Sequence, residues 1–229
     1  MQTPFTMDSS KPTIAVLGGT GKEGSGLAFR WAHAGYPIIL GSRAPDKAIA
    51  AADAMRALVG GGSSISGGSN DDSARAATIV VLAVPFTAQM ATAVAVKESL
   101  RGKILIDVTV PLVPPKVDRV QLPAGGSAVA ALQLELGADI KVVSAFQNVS
   151  STHLKTLSHS VDCDVLVCGD DADAREVVVQ LARDAGMTGW HAGPLANSAA
   201  SEALTSVLIA INKRYKVPGA GIRITGVPR

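Results

Sequence analysis

The stretch TIAVLGGTGKEGSGLAFRWAHAGYPIILGSR, residues 13–43, decides the fold. It opens on an apolar, β-branched run, Thr13 to Leu17, that ends in a cluster of glycines. Leu27, Ala28, Trp31 and Ala32 then fall at i, i+1, i+4 and i+5, the spacing of one helical face. Gly35 supplies a left-handed C-cap, Pro37 stops the helix from resuming, and a second strand follows at Ile38 to Leu40. Strand, glycine turn, helix and strand in this order predict a βαβ unit with parallel pairing.

Gly19, Gly21 and Gly24 form G-x-G-x-x-G where the strand meets the helix. The first glycine permits the tight turn, the second lets a pyrophosphate approach the backbone, and the third lets helix pack on strand. Free N–H groups and a partial positive charge then face the phosphates. Thr20, Lys22 and Glu23 belong to the same turn and are assigned to the cofactor with it. The alternative is a glycine-rich turn without a ligand.

The second strand selects the dinucleotide. A site for NAD places Asp or Glu about 20 residues past the glycines, whereas an arginine accommodates a 2′-phosphate. Here the strand runs Leu40, Gly41, Ser42, Arg43, with no carboxylate and with a hydroxyl beside a guanidinium. Lys47 lies four residues past Arg43, where one helical turn would bring both cations to one side. These features predict NADP. Otherwise Arg43 and Lys47 decorate a solvated helix start.

Outward from this unit the same alternation continues. A helix is expected over Ala44 to Leu58, and strands over Ile79 to Val84 and Ile104 to Val108. The glycine- and serine-rich run Gly60 to Gly68 is read as a loop carrying a short edge strand at Ser64 to Ser66. Val113 to Pro115 reads as a loop, Ala128 to Leu136 as a helix and Val142 to Phe146 as a strand. Beyond lie strand Val165 to Cys168, helix Asp173 to Ala185, strand Thr188 to His191 and helix Ser201 to Arg214. The fold expected is α/β, a Rossmann-like, doubly wound, mostly parallel sheet with a small C-terminal α/β extension. Residues 1–12 read as a disordered leader, 13–146 as an NADP-binding domain, and 147–229 as an extension that forms the substrate pocket within the same globule.

Ligands of open α/β sheets bind beyond the C-terminal strand ends. Val84, Pro85 and Phe86 end one strand there, and Val110, Pro111 and Leu112 the next, so they either wall a nicotinamide ring or are ordinary strand-end packing.

Composition narrows the function class. Of 229 residues, 47% are apolar and 17% charged, and Lys plus Arg exceed Asp plus Glu by only 21 to 19, which leaves no basic footprint for nucleic acid or an anionic membrane. Aromatics at 3% offer few platforms for stacking bases. No apolar run approaches the roughly 20 residues of a membrane span. Cys163 and Cys168 lie five apart in a strand-like run, are expected on opposite faces, and read as reduced thiols of a cytoplasmic protein.

At this point the residues resemble a known family. Ala15 to Arg43, Val167 to Asp171 (VCGDD), Ala192 to Ser198 (AGPLANS) and Gly219 to Gly226 (GAGIRITG) are similar to the NADPH-dependent reductases of the deazaflavin coenzyme F420, the F420H2:NADP oxidoreductases. The resemblance spans about Thr13 to the end. It implies a 2′-phosphate held by Thr20, Ser42, Arg43 and Lys47, with NADP as cofactor and F420 as small-molecule substrate. It implies a deazaflavin pocket built from the segments Val84 to Phe86, Val110 to Leu112, Phe146 to Ser151 and the C-terminal helix. Phe146, Gln147, Asn148, Val149 and Thr205 are thereby assigned to the substrate, and Ser151 and Ala220 to the cofactor. It also implies a homodimer, for which the apolar stripe Leu204, Val207, Leu208 and Ile211 is a candidate interface. Some members carry histidine at the position of Gln147 and proline at that of Ser150.

Hydride transfer between nicotinamide and deazaflavin requires positioning rather than an acid–base constellation. None stands out: there is no metal-ligand pattern, and His33, His153, His159 and His191 are scattered. No catalytic residue is assigned. Gln147 and Asn148 either donate amide hydrogens to a ring carbonyl or cap a helix starting near Ser150. Competing functions are an NADPH-dependent reductase of a flavin, carbonyl or imine, and a non-catalytic NADP sensor.

Overall fold

The chain crosses one eight-stranded sheet in the order β3-β2-β1-β4-β5-β6-β7-β8. The computed structural model describes residues 11–157 and 161–228. The first half runs β1 Ile14–Leu17, α1 Lys22–His33, β2 Ile38–Ser42, α2 Pro45–Val59, β3 Ile65–Ser69, α3 Asn70–Ala76, β4 Ile79–Leu82, α4 Phe86–Ala95, α5 Lys97–Leu100 and β5 Ile104–Asp107. The second half runs α6 Ala128–Leu136, β6 Lys141–Ser144, α7 Ser151–Leu154, β7 Asp164–Gly169, α8 Ala172–Asp184, β8 Thr188–His191 and α9 Ser198–Tyr215.

β1 pairs in parallel with both β2 and β4, Ile14 opposite Ile38 on one side and Ile79 on the other. The chain therefore winds outward from β1 to β3 and then crosses to β4, which places a crevice at the C-terminal ends of β1 and β4. β5 and β6 continue in parallel, β7 joins β6 antiparallel through Val143 to Gly169 and Ser144 to Cys168, and β8 is parallel to β7. Both sheet faces are covered, so β1 and β4 are apolar throughout rather than alternating. Ile14, Val16 and Val81 pack with Leu27 and Trp31 of α1, while Ala15, Leu17, Val80 and Leu82 face Leu132 of α6.

The glycine- and serine-rich run is more ordered than its composition implies. β3 is a five-residue edge strand in register with all of β2, and Arg56 donates to Ile65 O. A Cβ on Gly67 would overlap the carbonyl of Ala48, because α2 lies backbone against backbone on β3. The glycine there serves close packing. Local periodicity also missed α3, α4 and α5. β6 is shorter than expected, because Phe146 adopts φ of 71° and turns the chain out of the sheet.

Most of the expected leader, residues 1–10, lies outside the described residues, as does His159. Lys11 is held: its Nζ donates to Ala34 O at 2.7 Å and stands 4.3 Å over the Tyr36 ring. Cys163 precedes β7 rather than lying within it, and both cysteines are free and buried.

Gly67→Ala should destabilise the protein by about 1–3 kcal/mol, as overpacked sites do. Denaturant unfolding checks this, and a midpoint unchanged from wild type would restore the reading of this run as a pliable loop.

Candidate active site

The glycine turn brings three elements into near contact. A Cβ on Gly24 would stand 2.8 Å from Gly18 O and 3.1 Å from Ala83 Cβ, and one on Gly19 would stand 2.8 Å from Val16 O and 2.9 Å from Leu40 Cδ2. Those glycines let α1 press onto β1, β2 and the end of β4. Gly21 is different: its Cβ would meet only Gly18 O, at 3.2 Å, so its outer side is open. It is the N-cap of α1 and supplies no side-chain cap. The helix thus begins with uncapped N–H groups at the crevice, the arrangement that receives a pyrophosphate.

Beside this turn lies a cleft of about 180 Å³, lined by Thr20, Ser42, Arg43 and Asn70 among others. Among the described residues no carboxylate lines it. Ser42 Oγ accepts from Ala44 N at 3.1 Å, which leaves the hydroxyl proton free to donate outward. Hydroxyls and a guanidinium without an opposing carboxylate fit a 2′-phosphate and disfavour a bare ribose diol. The helical-turn argument for Lys47 does not hold. α2 starts at Pro45 and Ala44 is extended, so Arg43 precedes the helix, and Lys47 is exposed without lining the cleft.

A second cavity of about 470 Å³ continues from the first past Val84 and Pro85, which line both. Phe86, Val110 and Leu112 contribute its apolar wall; Val149, Ser151, Thr205 and Ala220 also line it. Its volume is that of an ordinary small-molecule site.

Phe146 also lines this cavity, but its ring is 1% exposed and stacks edge-on against Trp31, with centroids 5.7 Å apart. It therefore belongs mainly to the core. Its left-handed backbone, costly for a non-glycine residue, aims the next two residues at the crevice. Gln147 Nε2 donates to Asp107 O at 2.8 Å, and Asn148 Nδ2 to Asp164 O at 2.7 Å. Asn148 Nδ2 also donates to Cys163 Sγ, so both of its N–H groups are engaged and the expected donation to a ring carbonyl does not hold for Asn148, whereas Gln147 Nε2 keeps a second N–H beyond its bond to Asp107 O. Nor do the pair cap the following helix, since Ser150 Oγ accepts from Thr152 N and caps α7. The remaining amide oxygens, Gln147 Oε1 and Asn148 Oδ1, are buried without a partner among the described residues. These are acceptors, on two residues that line the larger cavity. Thr205 Oγ1 donates to Gln147 O at 2.7 Å, tying α9 to the same turn.

Two buried carboxyls support this floor, and neither carried a local sequence signal. Asp107, fully buried at the end of β5, accepts from Thr109 N at 2.8 Å and Gln89 Nε2 at 2.5 Å. Burial outweighs those hydrogen bonds and pushes its carboxyl up to about 6. Glu202 of α9 accepts from Ser127 Oγ at 2.6 Å and Ala128 N at 2.8 Å, so α9 caps the N-terminus of α6. His153 lines a separate cavity with Gly219 and Cys163. Lys213 pairs with Asp118 at 2.8 Å. Among the described residues no cluster suited to a metal ion is present, and no helix is long and apolar enough to cross a membrane.

The family model described as NADP oxidoreductase coenzyme F420-dependent matches residues 13–111. The F420-dependent NADP reductase of Methanocaldococcus jannaschii is 41% identical over 221 residues, covering 93% of this chain and 98% of the relative. That of Methanothermobacter thermautotrophicus is 41% identical, covering 94% and 95%. Among solved structures, an Arthrobacter protein described as a candidate F420-dependent NADP-reductase superposes with a TM-score of 0.77 at 25% identity, over 94% of this chain and all of that one.

The raised Asp107 pKa makes a prediction with a definite sign. The fold favours the protonated form, so this stabilisation is complete below the ordinary 3.8 and is lost as pH rises to about 6. Asp107→Asn, with the Gln89 amide flipped to donate less and accept instead, should flatten that decline and gain up to about 3 kcal/mol over wild type at pH 7. Unfolding curves at pH 4 to 7 test it; parallel pH dependence in both proteins would contradict it.

Proposed function

The chain belongs to the family of coenzyme F420-dependent NADP oxidoreductases, and from that premise we propose that it transfers a hydride between NADP(H) and F420 in a cleft at the end of its sheet. The observation that carries this reading is the pairing of an uncapped α1 N-terminus, flanked by a carboxylate-free cleft of hydroxyls and Arg43, with a larger apolar cavity continuous with it.

The turn Gly19 to Gly24, with Thr20, Lys22 and Glu23, receives the pyrophosphate. Thr20, Ser42 and Arg43 hold the 2′-phosphate, while Lys47, exposed in the first turn of α2 and outside the cleft, adds only long-range positive charge. Val84, Pro85, Phe86 and Val110 wall the ring site and exclude water, while Ser151 and Ala220 close its far side. Phe146, Gln147, Asn148, Val149 and Thr205 bound the substrate, with Gln147 Oε1 and Asn148 Oδ1 as acceptors for ring N–H groups. NADPH, when bound, supplies the hydride from its nicotinamide ring. The protein's part is to hold donor and acceptor carbons roughly 3–3.5 Å apart.

Residues 13–146 supply the nucleotide half of this cleft and 147–229 most of the substrate half. The chain also acts as a homodimer: Val207, Ile211 and Tyr215, spaced four apart on α9, are all exposed, whereas Leu208 turns inward. Light scattering should read twice the 23.3 kDa chain mass, and a monomer at micromolar concentration would contradict this. Free, buried Cys163 and Cys168 suit the reducing cytoplasm; recovery in a secreted or membrane fraction would contradict that assignment.

Mixing the protein with NADPH and oxidised F420 should bleach both chromophores together, and NADH should be a poor substitute. Arg43→Glu should weaken NADPH by about 10- to 100-fold, the worth of a charge-assisted phosphate contact, while changing NADH little. NADPH binding without F420 reduction would redirect the search to a flavin, carbonyl or imine acceptor, or to a sensor; equal losses for NADPH and NADH would remove Arg43 from the 2′-phosphate site.

A further inference from the structure

We propose that Glu23 is a nucleotide-site residue that carries its proton when the dinucleotide is bound, so that cofactor affinity is coupled to proton uptake at the start of α1. The proposal rests on the NADP reading above and concerns the side chain that this reading left without a chemical role.

Glu23 is the second residue of α1 and lines the larger cavity together with Gly21 and Lys22. Its Oε1 is sealed from water and has no hydrogen-bond partner among the described residues. The residue as a whole is only partly buried, and Oε1 is the oxygen that is enclosed. Among the described residues Lys22 is the one other charged side chain lining the cavity, and it is exposed.

Among the described residues, the elements packed on α1 bring no ion-pair partner to Glu23. α7 brings His153, which lines the separate cavity, and the end of β2 brings Arg43, which lines the smaller cleft. α2 brings Asp46, Lys47, Asp53 and Arg56, the last two paired with each other at 2.9 Å. α8 brings Asp173, Arg175, Glu176, Arg183 and Asp184, of which Asp184 bonds Tyr36 beyond the opposite end of α1 and Glu176 bonds His191. Asp107, at the end of β5, keeps its own partners, Gln89 of α4 and the Thr109 N–H.

An ionised Glu23 would compete with the pyrophosphate for the same partial positive charge at the helix N-terminus and would repel it at short range. A neutral carboxyl does neither, and offers an O–H to a phosphate or amide oxygen. Burial already favours that form, pushing the carboxyl up to about 8 in the free protein. An arriving polyanion pushes in the same direction. The bound state is therefore the protonated one, and above pH 8 a proton must be taken up as the dinucleotide enters.

The test is titration calorimetry of the full chain with NADPH between about pH 7 and 9.5, above the titration of the 2′-phosphate near pH 6. Two buffers of different ionisation enthalpy report the protons exchanged. Wild type should bind about tenfold more weakly per pH unit above 8, with uptake rising toward one proton. Glu23→Gln, whatever its own affinity at pH 7, should keep that affinity unchanged up to pH 9.5. A flat wild-type affinity without proton uptake would overturn the proposal, as would a Glu23→Gln protein that keeps the wild-type slope. Wild-type proton uptake decides the matter even where the variant fails to fold. Absence of NADPH binding at pH 7 would overturn the NADP reading and this proposal with it, an outcome distinct from binding that ignores pH.

Discussion

The guanidinium of Arg30 holds the two halves of the molecule in register. It is 5% exposed and meets four backbone carbonyls: Leu154 and Ala185 at 2.9 Å, His153 at 3.0 Å and Thr156 at 2.9 Å. These close the C-terminal ends of α7 and α8, where the helix dipoles leave partial negative charge, so the cation is answered without a carboxylate. Trp31 adds a bond from its Nε1 to Leu181 O at 2.9 Å. A buried charge is tolerable only when it is paired in this way, which fixes α1 against segments more than 120 residues away in the chain.

The cleft inherits that rigidity. With α1 pinned at Arg30 and its start pressed onto Gly18 and Ala83, the uncapped N–H groups have a fixed aim. α7 is the same segment that follows the turn at Phe146, so its anchoring also limits where Gln147 and Asn148 can point. Asp107 and Glu202 complete the frame from below and from α9. A hydride transfer draws its rate largely from such positioning, which is why the frame matters more here than any single reactive side chain.

Much of this was legible in the sequence because the relevant signals are local. The glycine turn, the strand ending in Ser42 and Arg43 and the apolar strand ends can each be read within a few residues. What escaped depends on partners distant in the chain. Gly67 looks like a linker glycine until α2 is laid across it. Arg30 and Glu202 look like helix-surface charges until the carbonyls and N–H groups that receive them arrive from other elements. At Gln147 and Asn148 only the fold shows that Asp107 O and Asp164 O each claim an amide N–H from across the chain. Lys47 was drawn toward Arg43 by a helical spacing that begins two residues too late.

The most direct measurement follows the hydride itself. NADPH carrying deuterium at nicotinamide C4 is reacted with oxidised F420, and the reduced deazaflavin is analysed by mass spectrometry. A carbon-bound hydride does not wash out, so direct transfer within the cleft predicts one deuterium in the product when the labelled face is the one used, and none in one of the two stereoisomers. Unlabelled product from both labelled faces, or NADPH oxidation that leaves F420 unreduced, would contradict the account.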